Sequence, residues 1–280
     1  MTATAIPATG RQYQSSLGQD LTLGGIVKSE WIKLRSLRST WWCAVLLILL
    51  SFGFGVPIAA VEADQWESVV GPGGGSDFTL LLTNNGLTML GQMVAVVIGA
   101  LIVTGEYGSG SIRSTLAAAP RRGQVFAAKV TVAAVFTAVV AVIAMAATAA
   151  GIVAVLAANG KGNGFGPDAA ALAFGGVYYL VASALIGVGL GFILRSSAGA
   201  IASGIGLLFV APMVLALGSS NEFVSRVVDL TPWQAGALMA TSPGFEGSLL
   251  GGYWGGAACL AAWVLLALVP AYAVFQRRDA

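Results

Sequence analysis

The sequence contains no histidine and only two cysteines, and charged residues make up 9% of its 280 residues. Without histidine, the commonest general base and the commonest metal ligand are both missing. A soluble domain usually carries about 25% charged residues, whereas 57% of this chain is hydrophobic. The composition therefore indicates an integral membrane protein.

Both cysteines, Cys43 and Cys259, lie inside apolar runs. The topology derived below puts Cys43 near the inner face of the membrane and Cys259 in its outer half. A disulfide needs Cα atoms within about 7 Å of each other. We therefore expect two unpaired thiols that serve as small apolar packing residues.

Several sequence motifs for nucleotide binding and catalysis are also missing. The sequence has no Gly-x-x-x-x-Gly-Lys-Ser/Thr loop for ATP phosphates, no Gly-x-Ser-x-Gly elbow and no His-Glu-x-x-His pair. Ionisable residues are almost absent from the apolar runs, and Lys129 lies close enough to a run's inner end that we expect it to snorkel to the interface. Ion-coupled transporters usually need intramembrane acids or histidines, so energy supplied by another chain is the simpler expectation.

Six stretches are long and apolar enough to cross a membrane, which takes about 20 residues at a rise of about 1.5 Å each. They are residues 41–60, 86–104, 125–156, 169–194, 198–217 and 249–275. The third is long enough to tilt or to project beyond the bilayer. Pro212 is expected to kink or split the fifth, because proline breaks the helical hydrogen-bond ladder.

The charges between the spans define an orientation. Twelve of the 14 basic residues fall on one side of the predicted membrane: Arg11, Lys28, Lys33, Arg35, Arg38, Arg113, Arg121, Arg122, Lys129, Arg195, Arg277 and Arg278. The other side has only Lys161 and Arg226, together with eight of the 12 acids: Glu62, Asp64, Glu67, Asp77, Asp168, Glu222, Asp229 and Glu246. Because basic segments stay in the cytoplasm, both termini are predicted to be cytoplasmic.

Residues 21–40 precede the first span and read as an amphipathic helix lying in the inner interface. The apolar face is Ile26, Val27, Trp31, Leu34 and Leu37, with Lys28 and Arg35 opposite, Ile32 on the wrong face and Lys33 near the boundary. Trp31, Trp41 and Trp42 suit the headgroup level. A basic anchor that only fixes topology and a mechanical role both remain open.

Two outer segments differ in character. Residues 61–83 carry four acids, no basic residue and GPGGG at 71–75, which predicts a flexible, solvated connection. Residues 218–248 mix apolar and charged residues, and Pro232 suits the first position of a helix. We expect short helices that re-enter the outer leaflet, with an ordinary loop as the alternative.

Small residues recur at four-residue spacing within the spans. The pairs are Gly187 with Gly191, Gly199 with Ser203, Gly251 with Gly255 and Gly252 with Gly256. Such faces let helices approach closely. They favour a tight bundle and are compatible with a dimer, although they identify no interface.

The stretch GEYGSGSIRSTLAAAPRRGQ separates the second and third spans. SIRSTLAA is expected to form a short helix that begins at a serine. Gly108 and Gly110 would allow the chain to turn sharply out of the span, and Pro120 would end the helix near Ala118. An unpaired carboxylate at the membrane edge is costly, so Glu106 should have a cationic partner.

The amphipathic segment with SEWIKLRSLRSTW, the six spans and EYGSGSIRSTLAAAPRRGQVFAAK together resemble the permease subunits of ABC-2 type ABC exporters. The resemblance runs from about residue 21 to the end. Its most specific positions are Glu106, Tyr107, Gly110, Ile112, Arg113, Leu116, Pro120, Arg121 and Lys129. It implies an all-α permease of six spans over residues 21–280. Residues 1–20 are polar and lie outside the resemblance, and we expect them to form a disordered cytoplasmic tail.

The resemblance also implies partners. Such permeases work as homodimers or heterodimers with two cytoplasmic ATPase subunits, which hold ATP and magnesium, so this chain is expected to bind no cofactor and to be no enzyme itself. Residues 21–40 would be the elbow helix, with Trp31, Lys33, Arg35 and Arg38 as its marked residues. Residues 105–123 would be the coupling loop that docks on the ATPase, through Glu106, Tyr107, Gly110, Ile112, Arg113, Leu116, Pro120 and Arg121. Candidate cations for Glu106 are then Arg113, a basic residue of the elbow, or an arginine of the ATPase.

The function implied by the resemblance is ATP-driven export of a hydrophobic or amphipathic compound, such as an antibiotic, peptide or lipid, across a bacterial cytoplasmic membrane. Membrane lipid is an expected partner and nucleic acid is not. Two alternatives stay open: a membrane scaffold or immunity protein that does not transport, and a secondary transporter driven by ion gradients.

Overall fold

A computed structural model describes residues 22–63, 77–119, 121–240 and 249–277. Every regular element in these ranges is a helix. The ten helices are α1 (Leu23–Ser36), α2 (Arg38–Glu62), α3 (Phe78–Ser109), α4 (Ser111–Ala118), α5 (Arg122–Ala158), α6 (Ala169–Leu194), α7 (Ser197–Ala216), α8 (Glu222–Asp229), α9 (Pro232–Met239) and α10 (Tyr253–Arg277). The predicted tail at 1–20, the glycine run at 71–75 and Pro120 lie outside the described residues.

Six of these helices, α2, α3, α5, α6, α7 and α10, are long and apolar enough to cross a membrane. They confirm the six predicted spans, and the fourth, Ala169–Leu194, has the predicted bounds. The fifth span contains a π-helical turn at Gly206–Val210, immediately before Pro212. Since the Pro212 ring would clash with the carbonyl four residues earlier, this wider turn gives the predicted distortion without splitting the span.

The second span begins at Phe78, earlier than predicted. The prediction of a solvated connection over residues 61–83 is therefore wrong for residues 78–83. Phe78 and Leu82 are buried and pack against Ile152 and Leu156 of α5. The Asp77 carboxylate accepts the N–H groups of Gly166 at 2.8 Å and Asp168 at 3.1 Å. A buried carboxylate satisfied in this way starts a packed helix where the sequence suggested a loop.

The helices α3 and α6 cross at the centre of the bundle in glycine-to-backbone contact. A Cβ atom on Gly99 would overlap the carbonyl group of Ala184, and one on Gly187 would overlap the carbonyl oxygen of Val96. The predicted Gly187 and Gly191 face therefore packs within the chain, since a Cβ on Gly191 would lie 3.1 Å from Val103.

Among the remaining small-residue pairs, Gly256 makes one contact of this kind, since a Cβ on it would lie 2.6 Å from the carbonyl oxygen of Ala235 in α9. Gly251 and Gly252 have φ values of 71° and 94° and precede α10, so their spacing to Gly255 and Gly256 is not helical. A Cβ on Gly199 would meet only Ser196 and Leu194 of its own neighbourhood. Cys43 and Cys259 are both free thiols, as expected.

The segment before the last span forms two short helices with side-chain caps. Asn221 accepts the N–H of Phe223 ahead of α8, and Thr231 accepts the N–H of Gln234 ahead of α9. Pro232 is the first residue of α9, as predicted. α9 buries Leu238 and Met239, whereas α8 has no buried residue. Residues 241–248 lie outside the described residues, and entry of this segment into the outer leaflet stays a prediction.

The predicted amphipathic helix at 21–40 is two elements. α1 ends at Ser36, Leu37 is extended with φ −85° and ψ 119°, and α2 begins at Arg38. The indole N–H of Trp41 donates to the carbonyl oxygen of Arg35 at 3.0 Å, which closes this corner. Arg38 therefore belongs to the first span and not to the elbow.

The buried and exposed faces of α1 agree with the helical wheel predicted from the sequence, with one exception. Ile26 and Leu34 are buried, Val27 and Trp31 pack against the core, and Ile32 is exposed as expected. Leu37 is 49% exposed because it lies in the break after the helix.

Candidate functional site

Four charged side chains from three helices meet at the end of the bundle predicted to be cytoplasmic. Glu30 and Lys33 come from α1, Glu106 from α3 and Lys129 from α5. The Lys33 Nζ lies 2.6 Å from Glu30 Oε1 and 2.9 Å from Glu106 Oε1. The Lys129 Nζ lies 2.8 Å from Glu30 Oε2 and 2.9 Å from the same Glu106 oxygen. These four residues form a closed charge ring with two positive and two negative members.

The charge ring also reaches the short helix α4. The Lys33 Nζ donates a third hydrogen bond to Thr115 Oγ1 at 3.1 Å. An ammonium group has three donors, so Glu30, Glu106 and Thr115 use all of them. Through one side chain, α1 is thus connected to both α3 and α4.

Most of the charge ring is shielded from water. The exposed fraction of the side chain is 1% for Lys129, 4% for Glu30, 13% for Glu106 and 41% for Lys33. Burial alone would lower the pKa of Lys33, but the carboxylates of Glu30 and Glu106 outweigh it and raise that pKa above the ordinary value. Removing one partner of a buried pair leaves an uncompensated charge, so the ring resists being opened.

Two expectations from the sequence, one about the end of the second span near Glu106 and one about Lys129, are wrong. α3 does not end at 104 but continues to Ser109, so Glu106 lies within the helix. Lys129 does not snorkel to the interface; it lies about two helical turns into α5 and α1 covers it. Its ammonium is stabilised inside the protein by Glu30 and Glu106.

The predicted cation for Glu106 exists, and one of the three candidates was right. A basic residue of the elbow, Lys33, contacts Glu106, and Lys129 is the second partner. Arg113 is not a partner, because its side chain is exposed on the far side of α4.

Glu30 is the member of the charge ring that sequence reasoning missed. It occupies the same stripe of α1 as Ile26 and Leu34, at spacings of four residues, and all three are buried. An acid in the middle of an apolar stripe is the signal that points to it, since a buried charge needs a partner.

The helix α4 confirms the predicted short helix SIRSTLAA, including its start at a serine. Gly110, with φ 72°, makes the turn out of α3, and Ser111 is the first helical residue rather than the cap. Gly108 lies inside α3 and takes no part in the turn. The helix ends at Ala118, where Pro120 was expected to stop it.

One face of α4 is anchored and the other is open. Ile112 is buried beside Ile26 and Phe275, with Leu116 and Tyr107 packed against the same apolar cluster. The opposite face exposes Arg113, Ser114, Ala117 and Ala118, and Arg121 is exposed just before α5. The predicted coupling residues therefore divide into inward-facing apolar anchors and outward-facing arginines.

Two arginines predicted to lie on the cytoplasmic side, Arg122 and Arg195, hold neighbouring helices together. The Arg195 guanidinium lies over the Tyr107 ring, 5.0 Å from its centroid, a distance suited to a cation–π contact. The Arg122 guanidinium donates to the carbonyl oxygens of Phe275 and Gln276, both at 3.2 Å. These bonds satisfy carbonyl groups in the last turn of α10.

The four marked elbow residues have different surroundings. Trp31 packs edge-on against Phe136 of α5, with ring centroids 6.4 Å apart. Lys33 belongs to the charge ring, while the side chains of Arg35 and Arg38 are exposed. The helix is therefore held by Trp31 and by its buried acid and lysine, rather than by its exposed arginines.

An all-helical bundle with six membrane-length helices, a short helix ahead of the first and another between the second and third defines a multi-pass membrane protein of the permease class. The model of the family described as ABC-2 family transporter protein matches residues 25–280, and the chain belongs to this family. No curated protein matches the chain. Membership identifies a permease component of ABC transport, a class that lacks its own ATP site and associates with ABC ATPases.

Proposed function

We propose that this chain is the permease subunit of an ATP-driven exporter, working as a homodimer or heterodimer in a bacterial cytoplasmic membrane. Both termini are cytoplasmic, and two partner ATPase subunits hold the ATP and magnesium. The cargo is a hydrophobic or amphipathic compound. The observation that carries the proposal is α4, which exposes Arg113 on one face and is connected to α1 and α3 through Lys33 on the other.

In the proposed mechanism, the ATPase docks on the exposed face of α4. Arg113 and Arg121 supply positive charge for this contact, whereas Ile112 and Leu116 hold the helix on the bundle. The guanidinium of arginine suits bidentate pairing with carboxylates at protein interfaces, so acidic groups of the ATPase are the expected counterparts.

Closure of the ATPases on ATP then pushes on residues 107–119. Lys33 passes the displacement to α1, because it contacts both Glu106 and Thr115. Glu30 passes it to α5 through Lys129, because this contact is short and buried. Movement of α1 and α5 switches a path between two permeases from inward to outward access. Energetic coupling between the docking face and the transport path is carried by contacts of this kind when the network has two discrete arrangements.

Docking is tested by co-purification of an ABC ATPase expressed together with the chain. Arg113→Ala is expected to lower ATPase retention strongly, because the docking face loses an exposed charge. The matched control is Arg226→Ala, which removes an exposed arginine at the opposite end of the bundle and should retain the ATPase fully. Normal retention and transport in Arg113→Ala would overturn the docking assignment.

The same preparation separates the alternative functions. Transport or resistance that disappears with a hydrolysis-deficient ATPase supports the exporter. Activity that survives it would indicate a scaffold or immunity protein, and transport driven by an ion gradient without any ATPase would indicate a secondary transporter.

A further inference from the structure

A cavity of about 490 Å³ lies between α1, α2, α3 and α4, beside the charge ring. One part of its wall is apolar and includes Leu34, Ile98, Leu101 and Ile102. Another part carries hydroxyl groups, among them Ser39, Thr40, Ser111 and Ser114. Ligand pockets of about 300–1,000 Å³ typically combine an apolar lining with a few polar groups, and this cavity matches both features.

The charges of the wall residues Glu30, Lys33 and Glu106 balance once Lys129 behind them is counted, although Glu106 Oε2 is buried without a hydrogen-bond partner among the described residues. Lys33 uses its three donors on Glu30, Glu106 and Thr115, and each of the two carboxylates contacts both lysines. A charged head group would enter without a counter-charge of its own, which is costly away from water, or would have to break the ring. The wall therefore disfavours both anionic and cationic ligands.

From this arrangement we propose that the cavity binds an uncharged amphiphile with a head group of hydroxyl or carbonyl oxygens. The head group exchanges hydrogen bonds with the serine and threonine hydroxyls, each of which can donate and accept. The hydrocarbon chain packs against Ile98, Leu101 and Ile102 of α3. This site shares Ser114 with the exposed face of α4, and its occupancy does not depend on the exporter function.

The chain provides its own probe of occupancy. Cys43 lines the cavity, whereas Cys259 packs near Tyr253 and Ala257 in a separate cluster. Both thiols have intermediate exposure, but the Cys259 thiol also donates to the carbonyl oxygen of Leu230 at 3.5 Å, so each rate is compared with the rate of the same thiol without amphiphile. The labelling rate with N-ethylmaleimide is measured for Cys43 in a Cys259→Ala background, and for Cys259 in a Cys43→Ala background.

The full-length chain is reconstituted in phosphatidylcholine vesicles with one of three amphiphiles that share an 18-carbon chain. Monooleoylglycerol is uncharged, oleate is anionic and oleylamine is cationic. Monooleoylglycerol is expected to slow labelling of Cys43 about tenfold at roughly ten times its Kd, because labelling follows the empty fraction 1/(1 + [L]/Kd). Oleate and oleylamine should not slow the labelling of Cys43 to a comparable extent. None of the three amphiphiles should slow the labelling of Cys259 to that extent.

A cavity-filling variant supplies the structural control. A Cβ on Gly105, which lines the cavity, meets nothing within 4 Å, and the same holds for Gly108 one turn further along α3, which does not line it. Gly105→Leu should abolish the slowing by monooleoylglycerol, measured as the ratio of rates with and without the probe. Gly108→Leu should keep it. Native mass spectrometry, counting bound monooleoylglycerol in the two variants, gives an independent reading.

Protection of Cys43 that survives Gly105→Leu, equal protection of both cysteines, preference for a charged amphiphile, or no protection at all would each overturn the proposal. Where protection is seen, addition of the ATPase and ATP distinguishes the source of the ligand. A resident membrane lipid stays bound through turnover, whereas exported cargo leaves the cavity and labelling of Cys43 recovers.

Discussion

Lys129 of α5 and Glu30 of α1 form an ion pair of 2.8 Å in which the side chains are 1% and 4% exposed. They are 99 residues apart in the sequence. The helix α1, which is predicted to lie in the inner interface, is thus attached to the longest of the described helices by a contact that water hardly reaches. Such a contact is strong only as long as both members are present.

We expect Lys129→Met to destabilise the chain by about 3–5 kcal/mol, because Glu30 and Glu106 would then share a single ammonium in a buried site. The measurement is the midpoint of denaturant-induced unfolding of the purified full chain in detergent. Lys28→Met is the control, since Lys28 is exposed on the same helix as Glu30 and should change stability by about 0.5 kcal/mol or less.

The double variant Lys129→Met with Glu106→Gln tests whether charge balance explains this effect. It leaves Glu30 and Lys33 as one neutral pair, so we expect it to be more stable than the sum of the two single changes by about 0.5–3 kcal/mol. Additive losses would show that the ring acts by packing alone.

Lys33→Met should separate docking from transmission in the proposed exporter. The exposed face of α4 stays intact, so ATPase retention should be normal, whereas the direct contacts of α1 with Thr115 and Glu106 are lost and only the path from Glu106 through Lys129 to Glu30 remains. We expect transport per ATP hydrolysed to fall by about fivefold or more, as for a typical coupling energy between sites. Unchanged coupling in reconstituted vesicles would show that the Lys33 contacts are not in the path of transmission.

Gly99→Ala should weaken the bundle at its centre. The added methyl group would overlap the Ala184 carbonyl, so α3 and α6 would have to move apart, at a cost of about 1–3 kcal/mol. Gly105→Ala is the matched control, because its Cβ meets nothing within 4 Å and alanine favours a helix. Thermal unfolding of both variants in detergent gives the comparison, and equal stability would contradict the close crossing.

The spans and α4 were predictable because their signals are local. Apolar length alone locates the six membrane-length helices, and the composition of residues 111–118 predicts α4. Boundaries failed where long-range contacts decide them. Phe78 starts a buried helix because Ile152 and Leu156 cover it, and no pattern near Phe78 shows this.

The charge ring was predictable only in part. The cost of an unpaired carboxylate led to a cation for Glu106, and the three candidates left open included Lys33 as a basic residue of the elbow but not Lys129. Lys129 was taken for a snorkelling residue because nothing in the third span reveals that α1 covers it. Glu30 carried a usable signal, its position between Ile26 and Leu34, which the strongly basic character of the segment concealed.

The glycine crossing of α3 and α6 has a practical consequence for measuring motion in this protein. A Cβ on either glycine would overlap the facing backbone, so we expect Gly99 and Gly187 to keep a nearly constant separation and to mark a reference frame. Spectroscopic labels placed on this frame and on α1 would report displacement of the elbow alone. Distances between two labels on the frame would serve as the internal reference, because they should stay constant in the same experiment.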